Sequence, residues 1–239
     1  MSFGYQTLGF GSFTSRGRPF GIIKTSSQAN GNPISLNQVS YGSDVEEGDL
    51  LVTMCGDLDN GTRGAVPTGF TTAVRRISGT PWNASPPYTV VSTIFYKVMT
   101  ASDVGGSFPS KPSGSSDANI GIFFIYRFPK PVTSVSVANV VSSASDGGAL
   151  TNRTWNHVSS NNLNLQVCGR GANGGADQSM TTNQAAFPVT QTLAGIAPGN
   201  SSRATASMVQ SNTGGTGSYT VPAVGFNGIA IFATLVVSG

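Results

Sequence analysis

Apolar and β-branched residues recur along the chain in short runs, and Gly, Pro, Asn and Ser separate them. Helical periodicity is nearly absent, whereas short runs bounded by turn formers are typical of strands. The predicted strands are Gly21–Thr25, Asp49–Cys55, Phe70–Ile77, Val90–Met99, Ile120–Phe128, Val132–Val141, Leu163–Cys168, Thr190–Ala194, Ala204–Gln210, Ser218–Pro222 and Gly228–Val237. This spacing predicts an all-β protein, built as a β-sandwich, barrel or jelly roll.

Several stretches of the first half have counterparts, in the same order, in the second half. Both cysteines end an apolar run and precede Gly, and Cys168 follows Cys55 by 113 residues. "IFYKVMT" and "GGSF" align with "TASMVQS" and "TGSY" at an offset of 111, "GIFFIYRF" aligns with "GIAIFATL" at 107, and "VPTGF" aligns loosely with "AAFPV". We interpret this as a pseudo-duplication. Since one half could not cover both faces of its sheet, we expect a single jelly-roll or β-sandwich domain over residues 21–239, with the repeat spanning about 45–237.

The cysteine positions allow two interpretations. Two cysteines in 239 residues do not make a disulfide framework, and two buried thiols at the ends of core strands, each followed by a Gly that turns the chain, are expected. Related positions in two stacked halves could instead face each other and form an inter-sheet disulfide.

Composition narrows the class of protein. Charged residues make up 10% of the chain, Gly occurs 31 times, and the formal charge is +3 without a basic stripe. A surface polar through hydroxyls and amides suits shells, fibres or secreted modules, and nucleic-acid binding is disfavoured. The N-terminus lacks the pattern of a secretory signal, and no apolar run has the length of a membrane span.

The sequence offers no convincing catalytic or metal site, so we expect neither enzyme nor cofactor. "DLDNG" (57–61) resembles the opening of a calcium loop but lacks the later Glu, so a polar turn is the simpler interpretation. His157 is the single histidine, and no nucleophile motif accompanies it. A glycosidase would need paired inward-facing acids, which the pattern does not supply.

The N-terminal stretch, residues 1–20, spaces aromatic residues among Gly and Ser with too little apolar density for a strand. It is either a frayed tail or an arm that docks onto a partner. The candidate anchors of such an arm are Phe3, Tyr5, Leu8, Phe10 and Phe13.

The order of motifs in the first half resembles a family of bacteriophage virion jelly-roll proteins. The family pattern "GDLLV", "P-x-GW", "YYKVAT-A-D", a Gly-aromatic strand and "YRG" is matched by Gly48–Val52, Pro67–Phe70, Phe95–Asp103, Gly106–Phe108 and Ile122–Arg127. This chain departs from it at Phe70, where the family has Trp, and at Phe128, where the family has Gly.

The resemblance implies a non-enzymatic virion protein, first of all a capsid decoration (cement) protein that binds the major capsid protein and its own copies, as a homotrimer. The alternative is a tail-fibre or receptor-binding module, in which Trp82 and Tyr88 would stack on host glycan. Neither interpretation involves nucleic acid or a membrane.

Overall fold

The computed structural model describes Arg18 and residues 21–30, 39–59, 66–77, 89–109, 119–144, 153–159, 163–173, 181–182, 189–196, 202–211, 215–221 and 229–239. This part of the chain is all-β, with thirteen strands, antiparallel pairing throughout and one short 3₁₀ turn at Ala101–Asp103. The strands are β1 (Gly21–Asn30), β2 (Leu50–Asp59), β3 (Thr71–Ile77), β4 (Thr89–Val98), β5 (Asn119–Arg127), β6 (Ser134–Ala144), β7 (Arg153–Ser159), β8 (Leu163–Asn173), β9 (Thr181–Thr182), β10 (Val189–Ile196), β11 (Ser202–Ser211), β12 (Gly215–Val221) and β13 (Ile229–Ser238).

All eleven predicted strands have an observed counterpart, and β7 and β9 were not predicted. The β7 segment, "RTWNHVS", has neither an apolar run nor apolar alternation. It is extended because it pairs along its whole length with β12. Pairing between distant segments overrides local propensity in such strands.

The expectation that each Cys-Gly pair ends a strand is wrong. Gly56 lies inside β2, where it pairs with Ser92 on one side and Ile120 on the other. Cys168 and Gly169 lie equally inside β8. Both strands are central in their sheets, and ladders on both sides keep the backbone extended past the glycine.

The strands form two five-stranded sheets and one three-stranded sheet. The first sheet has the order β1-β5-β2-β4-β3, the second β10-β11-β8-β13-β6, and the third β7-β12-β9. Each five-stranded sheet therefore draws all its strands from one half of the chain. Within each sheet the strands can be numbered by their order in the chain. The neighbours are then first, fifth, second, fourth and third in both sheets, when the second sheet is read from β6 to β10.

The ladder register gives offsets that differ in part from those of the sequence alignment. Cys55 pairs with Thr93 on β4, and Cys168 pairs with Ser207 on β11, which makes the offset between these strands 114 rather than 111. β3 and β10 each have a bulge near the start of the strand. The first residue paired after the bulge is Ile94 of β4 in one case and Met208 of β11 in the other, which again gives an offset of 114. The sequence alignment of these two strands is therefore three residues out of register.

The first half also has a short bridge outside its five-stranded sheet. Residues 39–41 and 106–108 form an isolated bridge, Ser40 to Ser107, flanked by the hydrogen bond from the Tyr41 N–H to the Gly106 carbonyl at 2.9 Å. In the third sheet, His157 pairs with Gly217. Gly217 follows Gly106 by 111 residues, which is the offset that the sequence assigns to "GGSF" and "TGSY".

The two five-stranded sheets contact each other, with β3 against β6 and β13, β4 against β8 and β13, and β1 against β10. Ile231 and Leu235 of β13 belong to the same buried cluster as Ile94 and Phe124 of the first sheet. The Tyr96 hydroxyl donates to the Val135 carbonyl of β6 at 3.3 Å. One hydrophobic core thus joins strands from both halves.

The first sheet is buried on both faces at its centre. The consecutive residues Leu50, Leu51, Val52 and Thr53 are all inaccessible to solvent, although neighbouring side chains on a strand point to opposite faces. This explains the unbroken apolar run at the start of β2, since strands covered on both faces do not alternate. One face meets the second sheet, and aromatic side chains from the loops lie on the other.

Candidate partner-binding site

The residues that the sequence nominated for partner binding lie outside the described part of the chain. They are Phe3, Tyr5, Leu8, Phe10 and Phe13 in residues 1–20, and Trp82 and Tyr88 in residues 78–88. The described residue within the proposed arm is Arg18, and its surroundings define where the arm joins the β domain.

Arg18 binds a buried ion-pair cluster at the start of β2. The Asp49 side chain is fully buried, and its oxygens accept from Arg127 Nε at 3.1 Å and Arg127 Nη2 at 2.9 Å. Arg18 Nη2 donates to Asp49 Oδ1, and the backbone N–H of Glu46 donates to Oδ2 at 2.8 Å. One carboxylate therefore receives two guanidinium groups and a backbone amide.

Glu46 completes the charge balance of this cluster. Its carboxylate lies 2.9 Å from Arg127 Nη1 and 3.3 Å from Arg18 Nε, so the two arginines face two acids. The hydrogen bond with Asp49 is the main reason that the pKa of Arg127 is raised above its usual value. Loss of Asp49 or Arg127, the two most buried members, would leave a buried charge poorly compensated, which typically costs about 3–5 kcal/mol.

The turn before Asp49 depends on Gly48. This residue has φ +80°, its N–H donates to the Met99 carbonyl at 2.8 Å, and its carbonyl accepts from Val132 at 2.8 Å. A Cβ at this position would lie 2.5 Å from Pro131 Cβ. The glycine thus permits the close approach that places the Asp49 carboxylate under the two arginines.

A second polar cluster fixes the segment after β4. Asp103 Oδ1 pairs with Lys97 Nζ at 2.6 Å, and Oδ2 accepts from the Thr100 N–H at 2.9 Å and the Thr100 hydroxyl at 2.7 Å. Burial disfavours the charged form of Asp103, but the hydrogen bonds from Lys97 and Thr100 outweigh it and lower the pKa of its carboxyl.

Five rings form an aromatic cluster on the face of the first sheet that the loops cover: Tyr41, Phe70, Phe95, Phe108 and Phe123. Phe108 stacks on Phe123 at a centroid distance of 6.1 Å and lies 5.3 Å from Phe70. The Tyr41 hydroxyl is buried without a partner among the described residues, and burial raises the pKa of this phenol.

These clusters contain the residues that carry the family resemblance. Asp49 and Arg127, from its first and last motifs, pair with each other, and the "YKVMTASD" stretch supplies both Lys97 and Asp103. Phe70 and Phe108, which end the second and fourth motifs, lie in the aromatic cluster. Neither ion pair was predicted from the sequence, although charged residues at the ends of apolar strands were the available signal.

The remaining candidates of the sequence analysis lie on strands. Asp57 pairs with Val91 and Asn119, and Asp59 with Thr89, so the stretch interpreted as a polar turn begins on β2. His157 lies on β7. Within the described ranges, no group of three His, Cys, Asp or Glu residues could hold a metal ion.

No helix in the described part of the chain is long and apolar enough to cross a membrane. Comparison with known proteins returned no matching family model, no matching curated protein and no matching solved structure.

Proposed function

We propose that this chain is a non-enzymatic structural protein of a bacteriophage virion, which decorates and cements the capsid. The N-terminal arm, residues 1–20, would bind the major capsid protein, and the β domain would associate with its own copies as a homotrimer. The observation that carries the proposal is the anchoring of Arg18, the residue at the root of the arm, to buried Asp49 and to Glu46.

The ion pairs of Arg18 support a binding role for the arm in a specific way. The Arg18 side chain is only 15% exposed, so the root of the arm is held against the domain beside the end of β5. An arm with a fixed root loses less conformational freedom on binding than a free tail would. Aromatic anchors that precede such a root can therefore contribute more of their burial energy to attachment.

We also infer that the two five-stranded sheets form a single β-sandwich that arose from a duplicated half. Three observations support this: the identical strand order of the sheets, the bulges at matching places in β3 and β10, and the shared core. A sandwich fits better than a jelly roll, because each sheet takes its strands from one half of the chain. Such a domain, with one shared core, suits a protein that presents an arm to a shell.

The test uses particles that lack the protein and compares full-length chain with a variant lacking residues 1–17. The variant keeps Arg18 and hence the ion-pair cluster, so its β domain should melt like that of the full-length protein. We expect its occupancy, measured after sedimentation of the particles, to fall at least tenfold at equal concentration.

A full-length variant with Phe3, Tyr5, Leu8, Phe10 and Phe13 all replaced by Ser should behave like the truncation, because it retains the backbone but loses the apolar anchors. Equal occupancy by all three proteins would show that the arm is a frayed tail. Binding to host glycan in place of particles would favour the receptor-binding alternative.

A further inference from the structure

Arg18 and Arg127 bind the same two acids, but Arg18 is held by fewer hydrogen bonds. Nε and Nη2 of Arg127 bind Asp49 at 3.1 Å and 2.9 Å, and its Nη1 lies 2.9 Å from the Glu46 carboxylate. Arg18 donates to Asp49 through Nη2. Its Nε lies 3.3 Å from the Glu46 carboxylate, yet Nε and Nη1 are both buried without a hydrogen bond to any described residue. Docking therefore leaves two nitrogens of Arg18 unsatisfied.

These two nitrogens make the docking of Arg18 weaker than its charge suggests. A buried donor without a partner has lost its bonds to water and gained none in return, which costs free energy. Release from the cluster would hydrate every N–H of the guanidinium and so recover this cost. The attraction of Asp49 and Glu46 for Arg18 is therefore offset in part.

The acids of the cluster keep their partners when Arg18 leaves. Both Asp49 oxygens still accept from Arg127, and Oδ2 also accepts from the Glu46 N–H at 2.8 Å. Glu46 still lies beside Arg127 Nη1, and its side chain is 55% exposed, so water reaches it. Release of Arg18 thus leaves no carboxylate of this cluster buried without a partner, whereas loss of Arg127 would.

The backbone permits release as well. Pro19 and Phe20 separate Arg18 from β1, which begins at Gly21. In the ladder between β1 and β5 the partner of Gly21 is Arg127 itself. This ladder holds the start of β1 beside the cluster whether or not Arg18 is docked. Release of Arg18 therefore does not open the sheet.

We propose that Arg18 is a releasable positioning residue, which exchanges between a state docked on Asp49 and Glu46 and a released state, while Arg127 keeps the domain folded in both. The inference rests on the proposed function and deepens it, because the docked state is the one whose fixed root favours attachment of the arm. The docked fraction then sets the apparent affinity for the shell. Salt, which screens charges near the surface, lowers this fraction.

The test measures how fast trypsin cleaves the purified full-length protein after Arg16, without particles. Trypsin must bind the residues on both sides of the cleaved bond, which a docked Arg18 side chain prevents. A synthetic peptide of residues 11–20, with the same residue at position 18, gives the rate for an unrestrained chain in each buffer. The ratio of the peptide rate to the protein rate is the protection of the arm root, and mass spectrometry of the product that begins at Gly17 provides both rates.

We expect the wild type to be protected about tenfold in about 20 mM NaCl and about twofold in about 0.5 M NaCl. Arg18→Gln should show no protection at either salt concentration. Equal protection of the wild type and Arg18→Gln, or wild-type protection that salt does not change, would overturn the proposal.

Arg76→Gln is the matched control, because it removes the same charge from an exposed position on β3. It should keep the protection of the wild type, and a loss like that of Arg18→Gln would indicate a non-specific effect of charge and contradict the proposal. Urea unfolding separates docking from folding. Arg18→Gln should unfold near the wild-type midpoint and Arg127→Gln at a much lower one, whereas an equal fall in both would make Arg18 part of the fold and refute its release.

The outcome is separable from that of the proposed function. If Arg18→Gln keeps wild-type protection but loss of residues 1–17 still lowers occupancy on particles, only the role of Arg18 is refuted. If Arg18→Gln loses protection but the wild type does not bind particles, the docking equilibrium stands and the shell-binding proposal falls.

Discussion

At the scale of single residues, the backbone of Gly48 controls the geometry of the ion-pair cluster around its neighbour Asp49. Its positive φ and its contact with Pro131 bring residues 46–49 into a tight turn. The turn lets the Glu46 N–H and the Asp49 carboxylate meet at 2.8 Å. The geometry of the Arg18 and Arg127 ion pairs thus rests on a residue that has no side chain.

We predict that Gly48→Ala destabilises the protein more than Gly105→Ala does. Both glycines have positive φ, +80° and +70°, and an Ala should lose about 1–2 kcal/mol from backbone strain at either position. Only at Gly48 does the new Cβ clash with Pro131, which adds about 1–3 kcal/mol of overpacking, whereas nothing lies within 4 Å at Gly105. Urea unfolding of the two variants measures the difference, and equal midpoints would show that the approach of Pro131 relaxes freely.

At the scale of elements, the end of β4 is held by charge as well as by its ladder. Lys97 is on β4, and Asp103 closes the 3₁₀ turn that follows, so their ion pair joins the strand to the segment leading to Phe108. The same Lys97 ammonium lies 5.8 Å from the centre of the Phe70 ring. The polar pair and the aromatic cluster therefore stabilise each other's position.

We predict that this pair contributes an acid-sensitive part of the stability. The pKa of Asp103 is lowered in the folded state, so its stabilisation is fully present above the unfolded pKa of about 3.9 and is lost as pH falls through the lower folded value. Asp103→Asn should therefore have a smaller loss of unfolding free energy below about pH 4 than wild type. Urea titrations from pH 2.5 to 7 test this, with exposed Glu47→Gln as control; parallel curves for wild type and Asp103→Asn would contradict it.

The strands themselves were largely predictable, because most of them carry apolar or β-branched runs between turn formers. The apolar stretches of β2 and β5 identified both strands, although the sequence placed the end of β2 at Cys55 instead of Asp59. That end is set by pairing with β4 and β5, which local composition does not encode. β7 and β9 are strands for the same non-local reason.

The candidate site was predictable only in part. The sequence indicated an arm and quoted the motifs that contain Asp49 and Arg127, but 78 residues separate the two in the chain. Only the pairing of β2 with β5 shows that they meet.

At the scale of the whole molecule, the halves depend on each other through one core. Ile231 and Leu235 of the second half are fully buried in a cluster that contains Ile94 and Phe124 of the first. Separated halves would expose these side chains, each worth about 1.5–3 kcal/mol when buried. Domain stabilities are small enough that losing several such contacts abolishes folding.

We therefore predict that residues 1–128 and residues 129–239, expressed separately, do not fold. Each should aggregate or show no cooperative thermal transition, while co-expression of the two should recover a soluble complex that melts cooperatively. Size-exclusion chromatography and circular dichroism provide the readout. A half that is soluble and melts cooperatively alone would show that its sheet is covered without the other.

The burial of Leu50, Leu51, Val52 and Thr53 has a consequence for how the chain can change over generations. A strand with one solvated face leaves every second position free to drift without disturbing its neighbours. At residues 50–53 no position is free in this way. Each accepted replacement in this segment therefore requires a matching change in a strand or loop that packs on one face or the other. In β8 the equivalent stretch "LNLQ" alternates apolar and polar residues. That sequence could not replace residues 50–53 without burying an Asn and a Gln side chain, so the two stretches are not interchangeable.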